Sequence, residues 1–296
     1  MFTRKPSALA AQALCVAALA TVVATATPAS AQTVVPCSAS ALSTAITNAN
    51  TAGGGTLVLA RGCTYSLVTA PLPSIQATIT IVGRNTTIAR DAGAAPFSVL
   101  SVALGGNLTL TNTTITGGKT PDVGNVDFGG GIANRGMLTV TGSSIHHNEA
   151  RFSGGIGGGS GTVTRIVNTS VFQNTANVNG GGLANDGDMT IINSRIHDNT
   201  ATTGVGGGLA NDGTLRIVSS DVNVNHASGN RAGGIANVGG GTTNITSSNV
   251  IRNTAAVAPG GILNSGGAVT LVASRVRENT PTNCAMGDIP IPNCPS

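Results

Sequence analysis

The sequence predicts an all-β protein, a right-handed parallel β-helix with a short N-terminal capping helix. The first observation is a repeat, in which an apolar residue two positions after a serine or threonine recurs at spacings of 30, 26, 25, 26, 28 and 26 residues. The second is alternation within each repeat, as in Leu138 and Val140, which is the period of a β-strand. The third is composition, with 42 Gly and only 9% charged residues. Short strands joined by corners in a repeat of this length form a coil rather than a flat sheet.

Residues 1–31 have the features of a cleavable signal peptide. Arg4 and Lys5 precede the apolar stretch Ala8–Ala26, and Ala29-Ser30-Ala31 is an A-x-A cleavage site before Gln32. We therefore expect cleavage after Ala31 and a secreted protein with no membrane span in the mature chain. Without Arg4 and Lys5 the 15 basic residues fall to 13, against 11 acidic ones, and no basic run remains. Nucleic acid is accordingly not an expected partner.

Four cysteines follow the signal segment, and in an exported chain they suggest two disulfides. Three pairings are open. We favour Cys37–Cys63 and Cys284–Cys294, because each pair is local and brackets one end of the repeat array. A metal site is the rival interpretation, and the lack of a C-x-x-C motif with a nearby histidine disfavours it.

Residues 32–55 are predicted to form an N-terminal cap. Gln32–Pro36 is interpreted as a short leader, and Ala39–Asn50 as an amphipathic helix because Leu42 and Ile46 are four residues apart. The run Gly53–Gly55 ends the helix. Such a helix would cover the open end of a solenoid, where unpaired strand edges promote aggregation.

The parallel β-helix is predicted over residues 56–280. Thr56–Ala60 and Tyr65–Thr69 are its first strands, followed by less regular turns at Ala77–Ile88 and Phe97–Ile115. Gly117–Phe128 is a polar excursion before the regular array. Residues 281–296, with four prolines, are predicted to be a loop cap closed by a disulfide.

Equivalent positions of successive turns should stack about 4.8 Å apart in such a coil. Two columns of asparagine and one of hydroxyl residues then become side-chain ladders that satisfy backbone groups at the bends. Glycine triplets are interpreted as the source of left-handed corners. The columns are Asn134, Asn185, Asn211, Asn237 and Asn264; Asn148, Asn174, Asn199, Asn225, Asn253 and Asn279; and Ser143, Thr169, Ser194, Ser220, Ser248 and Ser274.

The pattern GG-[IL]-x-N followed by L-T-V-T-x-S-x-I-x-x-N-x-A resembles the right-handed β-helix repeats of the pectin-lyase-like superfamily. It is especially similar to the repeats of chlamydial polymorphic outer-membrane proteins. The N-terminal ALSTAITNAN and GGGTLVLARGCTYSL segments resemble the capping region of such proteins. The resemblance covers almost all of the mature chain and implies the fold, but the superfamily includes lyases, hydrolases and adhesins, so it does not specify an activity. A leucine-rich repeat is the competing fold, disfavoured by few leucines and no helix-forming stretch in any repeat.

Asp186, Asp188 and Asp212 are the candidate catalytic residues. They follow the asparagine turn in adjacent repeats, so Asp186 and Asp212 are expected to lie one turn apart and are the candidate Ca²⁺ ligands. The competing interpretation is ordinary Asn-Asp-Gly turn chemistry. No other cofactor is expected.

A second group contains His146, His147, His197 and Asp198. The alignment of repeats places Phe172 between His146 and His197, so these two histidines should lie two turns and roughly 10 Å apart. That distance is too great for a shared metal ion, and solvated surface histidine is the simpler interpretation.

Arginine and threonine lie at outward positions. Arg195 and Arg275 share one column, Arg165 and Arg216 share another, and isolated solubilising charge is the favoured interpretation. A column of threonine and β-branched residues runs beside them and fits an ordinary solvated strand face. These arginines interrupt the face, which makes ice binding an unfavourable hypothesis.

Taken together, these features predict a secreted, monomeric β-helix protein that binds an extracellular polysaccharide or a cell-surface component without catalysis. The scarcity of aromatic side chains and the absence of a convergent acid, base and metal group motivate this hypothesis. The alternative is a polysaccharide lyase or glycoside hydrolase centred on Asp186, Asp188 and Asp212.

Overall fold

The computed structural model describes residues 32–121, 128–284 and 289–295. Over these residues the chain is an all-β parallel solenoid of about nine turns, preceded by one short helix, as the sequence predicts. The expected signal peptide, residues 1–31, lies outside the described residues. So do residues 122–127 of the predicted excursion and residues 285–288 and 296 of the predicted C-terminal cap.

The N-terminal region contains the helix and the first, longer strands. Its elements are β1 (Gln32–Val35), α1 (Ala39–Thr51), β2 (Gly54–Leu59), β3 (Thr64–Leu67), β4 (Thr78–Arg90), β5 (Leu100–Val102) and β6 (Asn107–Thr116).

Each of the first five regular turns contains four short strands, and the sixth contains three in the described residues. The first three complete turns contain β7 (Ile132–Asn134), β8 (Met137–Thr141), β9 (Ser144–His146) and β10 (Glu149–Ala150); β11 (Ile156–Gly158), β12 (Val163–Val167), β13 (Ser170–Phe172) and β14 (Thr175–Ala176); and β15 (Leu183–Asn185), β16 (Asp188–Ile192), β17 (Arg195–His197) and β18 (Thr200–Ala201). The remaining turns contain β19 (Leu209–Asn211), β20 (Thr214–Val218), β21 (Asp221–Asn223) and β22 (His226–Ala227); β23 (Ile235–Asn237), β24 (Thr242–Thr246), β25 (Asn249–Ile251) and β26 (Thr254–Ala255); and β27 (Ile262–Asn264), β28 (Ala268–Val272) and β29 (Arg275–Arg277).

The strands form three sheets that run along the solenoid. Sheet A has 17 strands and contains both the five-residue strand of each regular turn and the three-residue strand after it. Sheet B has 7 strands and begins each regular turn, and sheet C has 5 strands and closes it. All pairings between these strands are parallel. The pairing of β4 with β6 contains one register shift, between Val82 and Thr86, whereas the regular turns align residue for residue, for example Ile145 with Val171 and Val171 with Ile196. Residues about one repeat apart in sequence are therefore direct neighbours.

The N-terminal cap is more extensive than the sequence indicates. Helix α1 begins after Ser38, whose hydroxyl accepts from the Ala41 N–H, and it buries Leu42 and Ile46 against the first turn. Its predicted end at Asn50 is one residue short. The segment interpreted as a leader is strand β1, which pairs in parallel with β2.

The core is a mostly apolar column inside the coil, with the buried hydroxyl residues Thr164 and Thr243 at two of its positions. Its members include Leu138, Val140 and Ile145 in one turn, and the corresponding residues of later turns are also buried, except Leu271 in the last turn, which is partly buried. Each side chain packs on its counterparts one turn away, because the register keeps inward positions inward.

The predicted hydroxyl ladder runs beside this core. The Thr169 N–H donates to Ser194 Oγ at 3.1 Å, and Ser194 Oγ donates to the Ile192 carbonyl at 2.7 Å. Each hydroxyl thus satisfies a backbone donor of the preceding turn and an acceptor of its own bend. The same arrangement repeats between Ser194 and Ser220.

Both asparagine ladders are present. In the closing column, Asn174 donates through Nδ2 to Asn199 Oδ1 at 3.0 Å and to the Ile145 carbonyl at 2.9 Å. In the other column, Asn185 Nδ2 donates to Asn211 Oδ1 at 2.8 Å. Gly158 interrupts this second ladder between Asn134 and Asn185, and Asn134 donates to Thr164 Oγ1 instead.

The prediction that the glycine triplets supply the left-handed corners is wrong for most of their residues. Gly180 has a positive φ of 70°, but Gly181 and Gly182 do not. Most left-handed bends in the regular turns are instead occupied by other residues, such as Asn168 and Asn193. Gly181 is required for another reason, since a Cβ there would overlap carbonyl oxygens of neighbouring turns.

Both predicted disulfides are present. Cys37–Cys63 joins the cap to the first turn, and Cys284–Cys294 closes the C-terminal loop. Cys284 also bridges to Ile262, which places that loop against sheet B. In the described part of the chain, no helix has the length and hydropathy needed to cross a bilayer.

Candidate functional site

Three of the four histidines of the described residues lie at the outward side of sheet A. The three-residue strands β9, β13 and β17 place His146, Phe172 and His197 in one column. We call His146, His147, Phe172 and His197 the imidazole patch. The side chains of His146, Phe172 and His197 point outward, because in each strand the preceding residue, such as Val171 or Ile196, points into the core. His147 follows strand β9 in a left-handed bend.

The rings of the imidazole patch stack along the solenoid axis. The His146 and Phe172 ring centroids are 4.8 Å apart, and those of Phe172 and His197 are 5.0 Å apart with planes only 3° from parallel. His147 packs against His146 edge to face. The predicted order, with Phe172 between two histidines one turn away on either side, is confirmed.

Within the imidazole patch, the pKa of His146 is lowered. Partial burial, with the neighbouring His147 as a second cause, holds the pKa of His146 below its ordinary value. The two rings share a hydrogen bond of 2.7 Å between their Nδ1 atoms. Partial burial therefore favours the neutral form of the His146 imidazole.

The residues around His197 form a connected chain of polar contacts. Ser170 Oγ lies 3.0 Å from His197 Nε2, and His197 Nδ1 lies 2.6 Å from Asp198 Oδ2. A carboxylate only accepts hydrogen bonds, so the contact with Asp198 places a proton on Nδ1, and in the imidazole tautomer with that single proton Nε2 accepts from the Ser170 hydroxyl. Hydrogen bonds therefore connect the three side chains in the order hydroxyl, imidazole, carboxylate.

Sequence reasoning identified His197 and Asp198 but missed Ser170. Ser170 and His197 are diagonal neighbours on adjacent strands. Ser170 aligns directly with Arg195, and His197 is two residues further along that neighbouring strand. Comparing residues only within single columns does not reveal such a pair, since side chains also meet their diagonal neighbours across strands.

Arginines flank the imidazole patch on the same sheet face. Arg165 and Arg216 lie two turns apart in one column, with Thr190 between them. Arg195 lies in the column of Ser170, and Arg275 lies further along it. All four arginines are exposed.

The predicted acidic cluster is only partly assembled. Burial raises the pKa of Asp186, and the nearby Asp212 carboxylate adds to the rise. Asp188 does not join them at the turn, since it starts strand β16 and aligns with Val163 and Thr214. Over the residues the structure describes, no three His, Cys, Asp or Glu side chains are grouped closely enough to hold a metal ion.

Two adjoining cavities lie at the corner between sheets A and B near the start of the regular array. Their volumes are about 610 Å³ and about 400 Å³, and both are lined by Leu104, Phe128, Ala133 and Arg135. Phe128 adjoins the undescribed residues 122–127, and we assign no function to these cavities.

Comparisons with models of protein families, with curated proteins and with solved structures returned no match.

Proposed function

We propose that the chain is an extracellular protein that binds an extended anionic polymer, such as an acidic polysaccharide, along the outward face of sheet A. The observation that carries this proposal is a set of four exposed arginines without ionic partners in two columns of sheet A, one on either side of the left-handed bend. Within the described residues, no side-chain hydrogen bond or ion pair involves Arg165, Arg195, Arg216 or Arg275.

The contrast with neighbouring charges supports a binding role. Arg252 and Arg277 both pair with Glu278, so their charge is locally compensated. The unpaired guanidiniums instead remain free to bind planar oxyanions in a bidentate manner.

The spacing of the arginines fits a polymer rather than a small ion. Arg165 and Arg216 are separated by two strand spacings, about 10 Å. Arg195 and Arg275 are three turns apart, about 14 Å. A ligand that contacts several of them must therefore extend along the solenoid axis. As part of the same proposal, the chain is a β-helix protein of the pectin-lyase-like superfamily, and the resemblance of its repeats to those of that superfamily supports this.

The test compares acidic and neutral polysaccharides by isothermal titration calorimetry at 50 and 300 mM salt. We expect binding to the acidic polymers only, weakened at the higher salt because exposed charges are screened. Arg165→Gln with Arg216→Gln should weaken binding at least about tenfold, the order expected for losing two charge-assisted contacts. Arg135→Gln, an equal change of charge per site at an exposed position off this face, serves as the control.

Equal binding of neutral polymers, or equal loss in the Arg135→Gln control, would contradict the proposal. The same polymers, assayed for unsaturated products and reducing ends with and without a chelator, test the lyase or hydrolase alternative. Turnover that disappears in Asp186→Ala or Asp212→Ala would replace binding with catalysis at the acidic turn.

A further inference from the structure

We infer that Ser170, His197 and Asp198 form a nucleophile–base–carboxylate triad that hydrolyses short O-acyl esters. This activity goes beyond polymer binding: Arg195 belongs to both proposals, but Ser170, His197 and Asp198 have no part in polymer binding, and the arginines replaced in the binding test, Arg165 and Arg216, have no part in the triad. The inference rests on the two contacts of His197, one to Ser170 Oγ and one to Asp198 Oδ2. A hydroxyl bonded to a base that a third group orients is the arrangement required for nucleophilic catalysis.

The imidazole of His197 is held in place from several sides. Phe172 stacks on one ring face with its centroid 5.0 Å away, and the side chain of His197 is only 20% exposed. Asp198 occupies a left-handed bend, with φ of 54°, which turns its carboxylate back toward the Nδ1 of the preceding residue. The ring therefore presents Nε2 to Ser170 without reorganisation.

Charge that develops on the ester carbonyl oxygen needs a donor. Backbone amides of the sheet are already used, since Ser170 N–H donates to Ser143 and Arg195 N–H donates to Thr169. Arg195 is exposed and aligns with Ser170 on the next turn, so its side chain starts one strand spacing from the nucleophile. Arg195 is thus assigned to stabilise the tetrahedral oxyanion.

The reaction proceeds by acyl transfer. Ser170 Oγ bonds to the acyl carbon while its proton passes to His197 Nε2, and collapse of the oxyanion breaks the bond to the alcohol oxygen, which takes that proton. Water then attacks the acyl-serine, giving a proton to His197, and the carboxylic acid leaves as Ser170 Oγ regains it.

The test uses the purified protein with p-nitrophenyl acetate and a fluorophosphonate probe. We expect saturable hydrolysis, and phosphonylation that mass spectrometry locates on Ser170. Ser170→Ala and His197→Ala should each lower kcat/KM at least about 100-fold, and Asp198→Asn should also lower it, because the imidazole loses its orienting carboxylate. Unchanged circular dichroism and melting temperature establish that each variant is folded.

Ser144→Ala is the matched control. Ser144 occupies the same strand position one turn earlier, but the residue diagonal to it is Phe172 and not a histidine. Its removal should leave both hydrolysis and labelling unchanged. Hydrolysis that survives Ser170→Ala but not His197→Ala would show imidazole acting alone and would overturn the inference, as would a folded protein that is neither labelled nor active.

Discussion

At the scale of the residue, the buried asparagines carry hydrogen bonds from one turn to the next. Asn199 is fully buried, accepts from the backbone and side chain of Asn174, and donates to Asn225 and to the Val171 carbonyl. Asn199→Ala leaves several of these groups unpaired in the interior. We expect it to lower the free energy of unfolding by about 3 kcal/mol, measured by urea denaturation.

The control for this prediction is Asn223→Ala. Asn223 belongs to the same solenoid but lies on the outward side of strand β21, half-buried, and has no partner among the described side-chain hydrogen bonds. Its replacement should change the free energy of unfolding by less than about 0.5 kcal/mol. Equal effects of the two substitutions would mean that the ladder adds nothing beyond ordinary surface amides.

Asp186 gives a prediction for pH dependence. Its pKa is raised in the folded chain, so the folded state binds more protons than the unfolded one as the carboxyl titrates. The resulting cost is absent below the unfolded pKa and fully present above the folded pKa. Asp186→Asn should therefore raise the melting temperature at pH 7 and leave it nearly unchanged at pH 3. A stabilisation of equal size at both pH values would contradict the assignment.

At this scale the sequence predicted the asparagine and hydroxyl ladders, but it did not predict the buried threonines that contact the asparagines. Thr164 and Thr243 occupy inward positions that are apolar in other turns, yet both are buried. Each hydroxyl has an asparagine partner, Thr164 with Asn134 and Thr243 with Asn237. A pattern of apolar residues cannot reveal such positions, because the compensating partner is distant in sequence.

At the scale of the element, close packing of successive turns determines where glycine is needed. A Cβ at Gly181 would overlap carbonyl oxygens of Gly207 and Thr200, whereas one at Gly159 would meet no atom within 4 Å. Neither glycine has the positive φ that strains other residues. Gly181→Ala should lower the free energy of unfolding by at least about 2 kcal/mol, as backbone overpacking does.

Gly159→Ala is the partner experiment. It removes backbone freedom from the unfolded chain without a clash, so it should be neutral or stabilising by up to about 1 kcal/mol. Chemical denaturation of both variants checks the pair. A similar destabilisation by both would favour flexibility, and not close approach, as the reason for the glycine triplets.

The N-terminal cap is the element most dependent on a covalent link. Cys37–Cys63 closes a separation of 26 residues and holds the segment before α1 against the first turn, whereas Cys284–Cys294 closes only 10. Replacing Cys37 and Cys63 by serine should cost about 3 kcal/mol, more than replacing Cys284 and Cys294, because the longer loop gains more entropy when opened. Thermal unfolding of the two double variants compares them, and a larger loss at the C-terminal pair would contradict this order.

Strand β1 shows why the first element was misassigned. Gln32–Val35 is too short to show a period, and its partner Thr56–Leu59 follows a whole helix. Only Val35 of this strand is buried. The pairing of β1 with β2 depends on how helix α1, which lies between them in sequence, packs, and a local sequence pattern does not predict this tertiary arrangement.

At the scale of the whole molecule, the fold was predictable because one register explains every repeat. The spacings bring Ile145, Val171 and Ile196 to the same inward column, and the structure has them aligned. The site was less predictable. The contact between Ser170 and His197 depends on side-chain direction across a diagonal, and repeat spacing specifies only which residues align.

The central claim is that successive turns align residue for residue. The most direct measurement is disulfide formation in double-cysteine variants under mild oxidation, read by mass spectrometry of peptides. Thr246 and Val272 are aligned partners on the outward face, while Thr270 is displaced by two residues along the same strand. Neighbouring parallel strands lie within disulfide range, and a two-residue offset exceeds it. We predict that Thr246→Cys with Val272→Cys closes and that Thr246→Cys with Thr270→Cys does not; closure of the offset pair alone would contradict the register and the site built upon it.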